Sequence, residues 1–194
     1  MAPDRIDVFI ADDNLLVREG VRALVEMHDD LAIAGVAGDY DGLVAGAEEV
    51  SPQVLVTDIR MPPDFETEGI DAAREVRKRH PAIGVVILSQ YDDPDYAVSL
   101  LSDGAAGYAY LLKDRVAEGA QLAKAIRAVA TGGSMLDPLI VDALVTPFTD
   151  TIALTPADES LLRMIAEGRH VKAIAATLRT TPEAIADAME KLFL

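Results

Sequence analysis

Cysteine is absent from the chain, and histidine occurs only three times in 194 residues. Without cysteine there is no disulfide framework, no thiolate zinc site and no thiol nucleophile. The histidines stand at positions 28, 80 and 170, far apart and without the spacing of metal ligands. The sequence therefore argues against a cysteine or histidine metal centre.

Long hydrophobic runs are also missing. No apolar run approaches the roughly 20 residues that a membrane-spanning helix needs. The N-terminal stretch MAPDRIDVFI lacks the basic start, the apolar stretch and the small-residue cleavage site of a signal peptide. We therefore expect a soluble, cytoplasmic protein that makes no membrane contact.

Positive charge is scarce, since 17 basic residues stand against 33 acidic ones and the formal net charge is −16. Non-specific binding to nucleic acid depends on Lys and Arg neutralising phosphates, so this balance argues against it. The charge is unevenly placed: residues 151–194 hold five basic and six acidic side chains, and the acidic excess lies in residues 1–150.

Short β-branched runs alternate with helix-period segments along the first two thirds of the chain. Strands are predicted at 6–13, 31–38, 53–58, 84–90 and 107–112, and helices at about 14–28, 40–50, 69–80, 94–103 and 115–131. This alternation predicts an α/β fold: a doubly wound, five-stranded parallel sheet with helices on both faces.

Polar residues stand at the carboxyl ends of these predicted strands, where an open parallel sheet binds its ligands. They are Asp12, Asp13, Asp58, Ser89 and Lys113. Three carboxylates brought together repel unless a cation joins them, and an open all-oxygen site suits Mg²⁺. A strand-ending aspartate taken alone is equally consistent with a helix cap. Together, the five residues predict a phosphate site with Mg²⁺.

Residues 1–132 resemble the receiver domain of a bacterial two-component response regulator of the NarL/FixJ type. The stretches that carry the resemblance are IADDNLLVREGVRALV, VLVTDIRMP, VVILSQYDD and GAAGYAYLLKDRV. The resemblance implies that Asp58 accepts a phosphoryl group from a sensor histidine kinase and that Lys113 pairs with this group. It also implies that Asp12, Asp13 and the backbone carbonyl of Arg60 help to hold Mg²⁺. Such a protein is a phosphoacceptor rather than an enzyme with a separate substrate.

The same resemblance places a switch hydroxyl at Ser89 and a switch aromatic residue at Tyr110. A phosphoryl group adds charge and strong acceptors. Ser89 is expected to donate a hydrogen bond to it, which leaves space for Tyr110 to turn inward and changes the face around the fourth and fifth predicted helices. Tyr108 competes for this role because both tyrosines point to one face of their strand; the spacing to Lys113 favours Tyr110.

The loop RMPPDFETEGID after the phosphoacceptor is longer than is usual in receivers. It adds Asp64, Glu66 and Glu68, which we interpret as solvated loop charges; the alternative is that they tune metal affinity or phosphate access. The pair Lys113-Asp114 stands where many receivers have Lys-Pro, and it is common in the NarL type.

Residues 133–150 are predicted to form a linker with one short helix, and residues 151–194 resemble a LuxR-type helix-turn-helix. The segment TPEAIADAMEKLFL, with Thr181 as its capping residue, stands where this family has its DNA-reading helix. Polar and basic side chains read DNA, but the corresponding positions here are Ala184, Ala186, Asp187 and Ala188. The candidate DNA-facing residues are Lys172, Arg179 and Lys191.

The helix-turn-helix therefore looks degenerate and incomplete, because the chain ends where a fourth helix is usual. We expect either further chain or pairing with a second copy, as a homodimer. Two functions remain open: a phosphorylation-dependent transcription regulator that binds DNA, or a receiver whose helix-turn-helix contacts another protein or relays to a further output domain.

Overall fold

The computed structural model describes residues 5–90, 96–97, 100, 106–118, 120–141, 155–166 and 169–192. Its centre is a parallel sheet in the order β2-β1-β3-β4-β5-β6, which confirms the doubly wound parallel sheet predicted from the sequence. The strands are β1 Ile6–Ala11, β2 Leu31–Ala37, β3 Val54–Asp58, β4 Gly84–Ser89, β5 Tyr108–Leu112 and β6 Met135–Leu136.

Helices connect these strands and continue after the sheet. They are α1 Leu15–Glu26, α2 Tyr40–Val50, α3 Glu68–Arg79, a 3₁₀ helix Lys113–Glu118, α4 Ala120–Ala130, α5 Pro156–Ala166, α6 Val171–Leu178 and α7 Pro182–Leu192. The predicted helix at 94–103 lies mostly outside the described residues; the described residues within it, 96, 97 and 100, are helical. No helix among the described residues has the length and apolar character needed to span a bilayer.

The prediction of five strands was wrong by one. Met135 and Leu136, which lie in the predicted linker, form a sixth strand that pairs in parallel with Ala109 and Tyr110 of β5. The backbone continues from this strand into a helical turn at 138–141. The start of the predicted linker is thus part of the sheet, because its backbone groups complete the hydrogen bonding of β5.

Both faces of the sheet are covered, which explains why the central strands β3 and β4 carry apolar side chains on both faces. Along β3, Leu55 packs into one core while Val54 and Val56 pack into the other, because successive side chains point to opposite faces. The first of these cores is shared with the C-terminal helices: Ile165, Ile174 and other side chains of α5 to α7 belong to the same cluster of buried residues.

Capping side chains begin the helices next to the functional edge and at the end of the chain. Asn14 Oδ1 accepts hydrogen bonds from the backbone N–H groups of Leu16 and Val17 at the start of α1. Thr181 Oγ1 accepts one from the N–H of Ala184, at 3.2 Å, so the helix start predicted at Thr181 is confirmed.

Candidate functional site

The carboxylates of Asp12, Asp13 and Asp58 converge at the carboxyl edge of the sheet. Each contributes an oxygen, and these oxygens lie within 4.8 Å of one another. Asp12 and Asp13 follow β1 and Asp58 ends β3, and these strands are direct neighbours, so the topology brings the side chains together. Asp12 is buried, Asp58 is partly buried and Asp13 is exposed. The predicted convergence is confirmed for this cluster.

Lys113 joins two of these carboxylates. Its Nζ lies 2.7 Å from Asp12 Oδ2 and 2.7 Å from Asp58 Oδ2. Burial acts to lower the pKa of Lys113, but hydrogen bonds and charge from both carboxylates outweigh it and raise that pKa above its usual value. Burial raises the pKa of Asp58, and Lys113 only partly opposes this change. The Lys113 ammonium group is thus stabilised in its charged form by ion pairs with Asp12 and Asp58.

Backbone groups orient the two acids. The N–H of Ile59 donates to Asp58 Oδ1 at 2.8 Å, so both carboxylate oxygens of Asp58 have a donor. The N–H of Asn14 donates to Asp12 Oδ1 at 2.9 Å. These contacts fix the carboxylate planes, so the reactive edge of Asp58 does not depend on solvent for its orientation.

Ser89, the last residue of β4, is 3% exposed and borders a cavity of about 50 Å³ beside Asp58. Arg60 and Tyr96 line the same cavity, and the Arg60 guanidinium donates to the hydroxyl of Tyr96 at 2.8 and 3.3 Å and lies 5.6 Å from the centre of its ring. The residues that border this cavity thus include Asp58, a serine and the cationic Arg60. Sequence reasoning placed the Arg60 carbonyl here but missed its side chain.

The two candidate switch tyrosines both lie in the core. Tyr110 has no exposed surface and Tyr108 is 4% exposed, and they belong to the same buried cluster, as expected for alternate residues of one strand. The Arg77 guanidinium lies over the ring of Tyr108, 4.3 Å from its centre. The choice of Tyr110 as the switch residue stays a prediction.

The interpretation of the loop acids was right for Asp64 and Glu66, which are exposed, and wrong for Glu68, which is 8% exposed. Glu68 accepts hydrogen bonds from backbone N–H groups of its own loop. A carboxylate that is paired with several amides tolerates burial. No spacing in the sequence reveals this, because the loop has to fold back before the amides meet the carboxylate.

The candidate DNA-facing residues Lys172 and Arg179 are exposed, and Lys191 lies in α7, where its side chain is not described. Ala184 and Asp187 of α7 are exposed as well. Pro182, Ala186 and Met189 line an open cleft of about 720 Å³, shared with Thr131 and Gly132 beyond α4 and with residues of α6. Ala186 is itself exposed, so α7 borders this open cleft without closing it.

The acidic cluster fits Mg²⁺. All its donors are carboxylate oxygens, one of them exposed, and this set leaves positions for water and a phosphate oxygen. Lys113 neutralises part of the charge without closing the exposed side at Asp13.

Comparison with known proteins agrees with this geometry. Residues 8–129 match the family model of the response regulator receiver domain. The chain is 37% identical over 180 residues to the transcriptional regulatory protein MctR of Rhizobium johnstonii, covering 91% of this chain and 80% of that protein. It is 39% identical over 132 residues to the uncharacterized transcriptional regulatory protein YxjL of Bacillus subtilis, covering 68% of this chain and 57% of that one.

Solved structures agree as well. RcsB from Salmonella enterica serovar Typhimurium, bound to a promoter in the presence of phosphomimetic BeF3−, is 25% identical, with a TM-score of 0.64. The alignment covers 98% of this chain and 93% of that one, so it includes the C-terminal helices. The chain therefore belongs to the response regulator receiver family, and it is a two-component response regulator of the NarL/FixJ type.

Proposed function

We propose that Asp58 accepts a phosphoryl group from a sensor histidine kinase and that this modification switches the output of the C-terminal helices. The observation that carries the proposal is the carboxylate of Asp58, held between the N–H of Ile59 and the ammonium of Lys113 beside two further acids. Response regulators of this type act in transcription regulation.

The transfer needs positioning and charge compensation more than acid-base chemistry. A carboxylate oxygen of Asp58 forms a bond to phosphorus, while the bond from phosphorus to the donor's histidine nitrogen breaks and its electron pair leaves with that nitrogen. Lys113 offsets charge on the phosphoryl oxygens. Mg²⁺, held by Asp12, Asp13, Asp58 and the backbone carbonyl of Arg60, supplies further positive charge to these oxygens when bound.

Ser89 lies on the same cavity as Asp58, and its hydroxyl is expected to donate to a phosphoryl oxygen once Asp58 is modified. A shift of Ser89 frees space on the core side of β5, where Tyr110 is buried. This movement alters the neighbouring surface and, with it, the preference for a partner or for a second copy of the chain.

DNA binding as a homodimer is the output that the relatives support, and exposed Lys172 and Arg179 are the candidate phosphate contacts. One observation favours the alternative, in which the C-terminal helices contact a protein: the exposed positions of α7 include Glu183, Ala184 and Asp187. An aspartate facing DNA phosphates weakens binding, and alanine gives only apolar contact.

The phosphoryl transfer is tested by incubation with acetyl phosphate and Mg²⁺, followed by intact-mass measurement. The expected result is the addition of one phosphoryl group to the wild-type chain and none to Asp58→Asn. Asp64→Asn, at an exposed acid of the adjoining loop, is the matched control and keeps the modification. A labelled Asp58→Asn variant contradicts the assignment.

The output is tested by titrating phosphorylated protein onto DNA at several salt concentrations. If DNA is the partner, Lys172→Ala and Arg179→Ala weaken binding to all sequences alike, and each reduces the salt slope by about 1. Lys124→Ala, at an exposed lysine of α4, is the control and leaves binding unchanged. Absence of binding even at low salt supports the protein-contact alternative.

A further inference from the structure

Glu68, the first residue of α3, directs its carboxylate back over the loop that follows the phosphoacceptor. Its Oε2 accepts from the N–H of Glu66 at 2.8 Å and, more weakly, from the N–H of Met61 at 3.5 Å. Its Oε1 accepts from the N–H of Asp64 at 3.1 Å. The Glu68 carboxylate thus accepts hydrogen bonds from the beginning, the middle and the end of this loop.

The negative charge of Glu68 is stabilised by these backbone N–H groups. Burial acts to raise its pKa, but the backbone N–H groups outweigh burial and hold the pKa below its usual value. The carboxylate is therefore ionised at neutral pH although it is only 8% exposed. A charged acceptor makes stronger hydrogen bonds to amides than a neutral one, so the loop is held firmly in this shape.

Glu68 and Gly69 contact the backbone on the two sides of Arg60. Before it, the carbonyl oxygen of Ile59 accepts from the N–H of Gly69 at 2.8 Å. After it, the N–H of Met61 points to Glu68 Oε2 at 3.5 Å, a weak contact, and the Met61 side chain is fully buried. The first two residues of α3 therefore make hydrogen bonds to the backbone of Ile59 and Met61, the two residues that flank Arg60.

We propose that Glu68 is a positioning residue for the metal site: by holding the Met61 N–H and the loop beyond it, it fixes the orientation of the Arg60–Met61 peptide and hence of the Arg60 carbonyl. The inference rests on the proposed function, in which that carbonyl helps to hold Mg²⁺. Groups that orient a metal ligand in this way commonly change metal affinity by about 10- to 100-fold when they are removed.

Glu66 provides a matched control. It lies two residues away in the same loop, its carboxylate is exposed, and Glu66→Gln removes the same charge as Glu68→Gln. An effect that comes from the negative charge of the loop appears in both variants. An effect that comes from holding the backbone appears in Glu68→Gln, because a neutral amide side chain cannot accept from all the N–H groups that the carboxylate accepts from.

The experiment measures Mn²⁺ binding by electron paramagnetic resonance, and acetyl phosphate transfer as a function of Mg²⁺ concentration. For Glu68→Gln we expect metal affinity to fall about 10-fold, and the Mg²⁺ concentration for half-maximal transfer to rise in step. The rate at saturating Mg²⁺ stays close to that of the wild type, because Asp58 and Lys113 are untouched. A purely structural loss lowers this saturating rate instead. Glu66→Gln behaves like the wild type.

Equal metal affinity in Glu68→Gln and Glu66→Gln overturns the inference, as does a fall in the saturating rate without a change in affinity. If Glu68→Gln does not fold, Glu68→Asp, which keeps the charge but shortens the reach, decides by the same comparison. Failure of the proposed function gives a different result: the wild-type chain itself then takes no phosphoryl group, whatever the behaviour of position 68.

Discussion

The backbone of Gly69 packs against the carbonyl of Asp58, so closely that a Cβ atom at position 69 overlaps the carbonyl oxygen. The carbonyl carbon of Asp58 and Oγ1 of Thr57 would each lie 2.8 Å from that atom. The neighbouring atoms are backbone or buried side chain, so there is little freedom to relax. This contact joins the start of α3 to Asp58 and explains why a glycine stands there.

Gly69→Ala is therefore expected to destabilise the protein by about 1–3 kcal/mol, because overpacking forces α3 or the end of β3 to shift. Urea denaturation measures the free energy of unfolding. Gly20→Ala is the control: no atom lies within 4 Å of the added carbon, and alanine in an exposed helix is favoured over glycine by up to about 1 kcal/mol. Equal stability of Gly69→Ala and the wild type contradicts the packing.

Arg77 combines stacking with several hydrogen bonds. Its guanidinium lies 4.3 Å from the centre of the Tyr108 ring and donates to the carbonyl oxygens of Ala106 and Pro81. Lysine has no planar group of this kind, so Arg77→Lys is expected to lower the free energy of unfolding by about 1–2 kcal/mol. Lys78→Gln, at a lysine whose side chain is 73% exposed, serves as the control and changes stability by less than about 0.5 kcal/mol.

Metal binding at the acidic cluster predicts a stability that depends on Mg²⁺. At 100 times its dissociation constant, a ligand that binds only the folded state adds about 2.7 kcal/mol. Thermal unfolding of the wild type is thus expected to shift upward with Mg²⁺ and back with EDTA. Asp13→Asn, at an exposed member of the cluster, loses most of the shift, whereas Asp29→Asn, at an exposed acid outside the cluster, retains it. An undiminished shift in Asp13→Asn excludes that residue as a ligand.

Asp30 and Arg127 form a bidentate ion pair, with N to O distances of 2.7 and 2.8 Å, between the start of β2 and α4. The hydrogen bonds from Arg127 lower the pKa of Asp30 to about 2. Because the folded-state pKa is below the unfolded value of about 3.9, the pair stabilises the protein above about pH 4, and this stabilisation is lost as the pH falls toward 2. Both side chains are more than 40% exposed, so the contribution is small.

Carboxyl NMR titration checks this ion pair. In Arg127→Gln, the pKa of Asp30 is expected to rise toward about 3.9, and the difference in stability from the wild type disappears at the low end of the titration. An unchanged Asp30 pKa in that variant shows that the pair is not formed in solution.

Much of the fold followed from the sequence because central parallel strands carry a strong signal. Residues 54–56 and 85–88 are buried and read as continuous apolar runs, and the predicted bounds of α2, 40–50, match the structure. The sixth strand did not follow: two residues, Met135 and Leu136, are too short for any periodic pattern. Their strand geometry comes from the unpaired edge of β5, which lies far away in sequence.

The sequence by itself determined which residues meet at the edge of the sheet. Once strands alternate with helices, their carboxyl ends share one edge, so Asp12, Asp58 and Lys113 are brought together by topology alone. Only the tertiary structure decided the roles that depend on solvent and on neighbouring backbone. Glu68 reads as a solvated acid until the loop folds its amides onto the carboxylate. Burial and partners are properties of the folded chain, because they arise from groups that meet only after the sheet and its helices have packed.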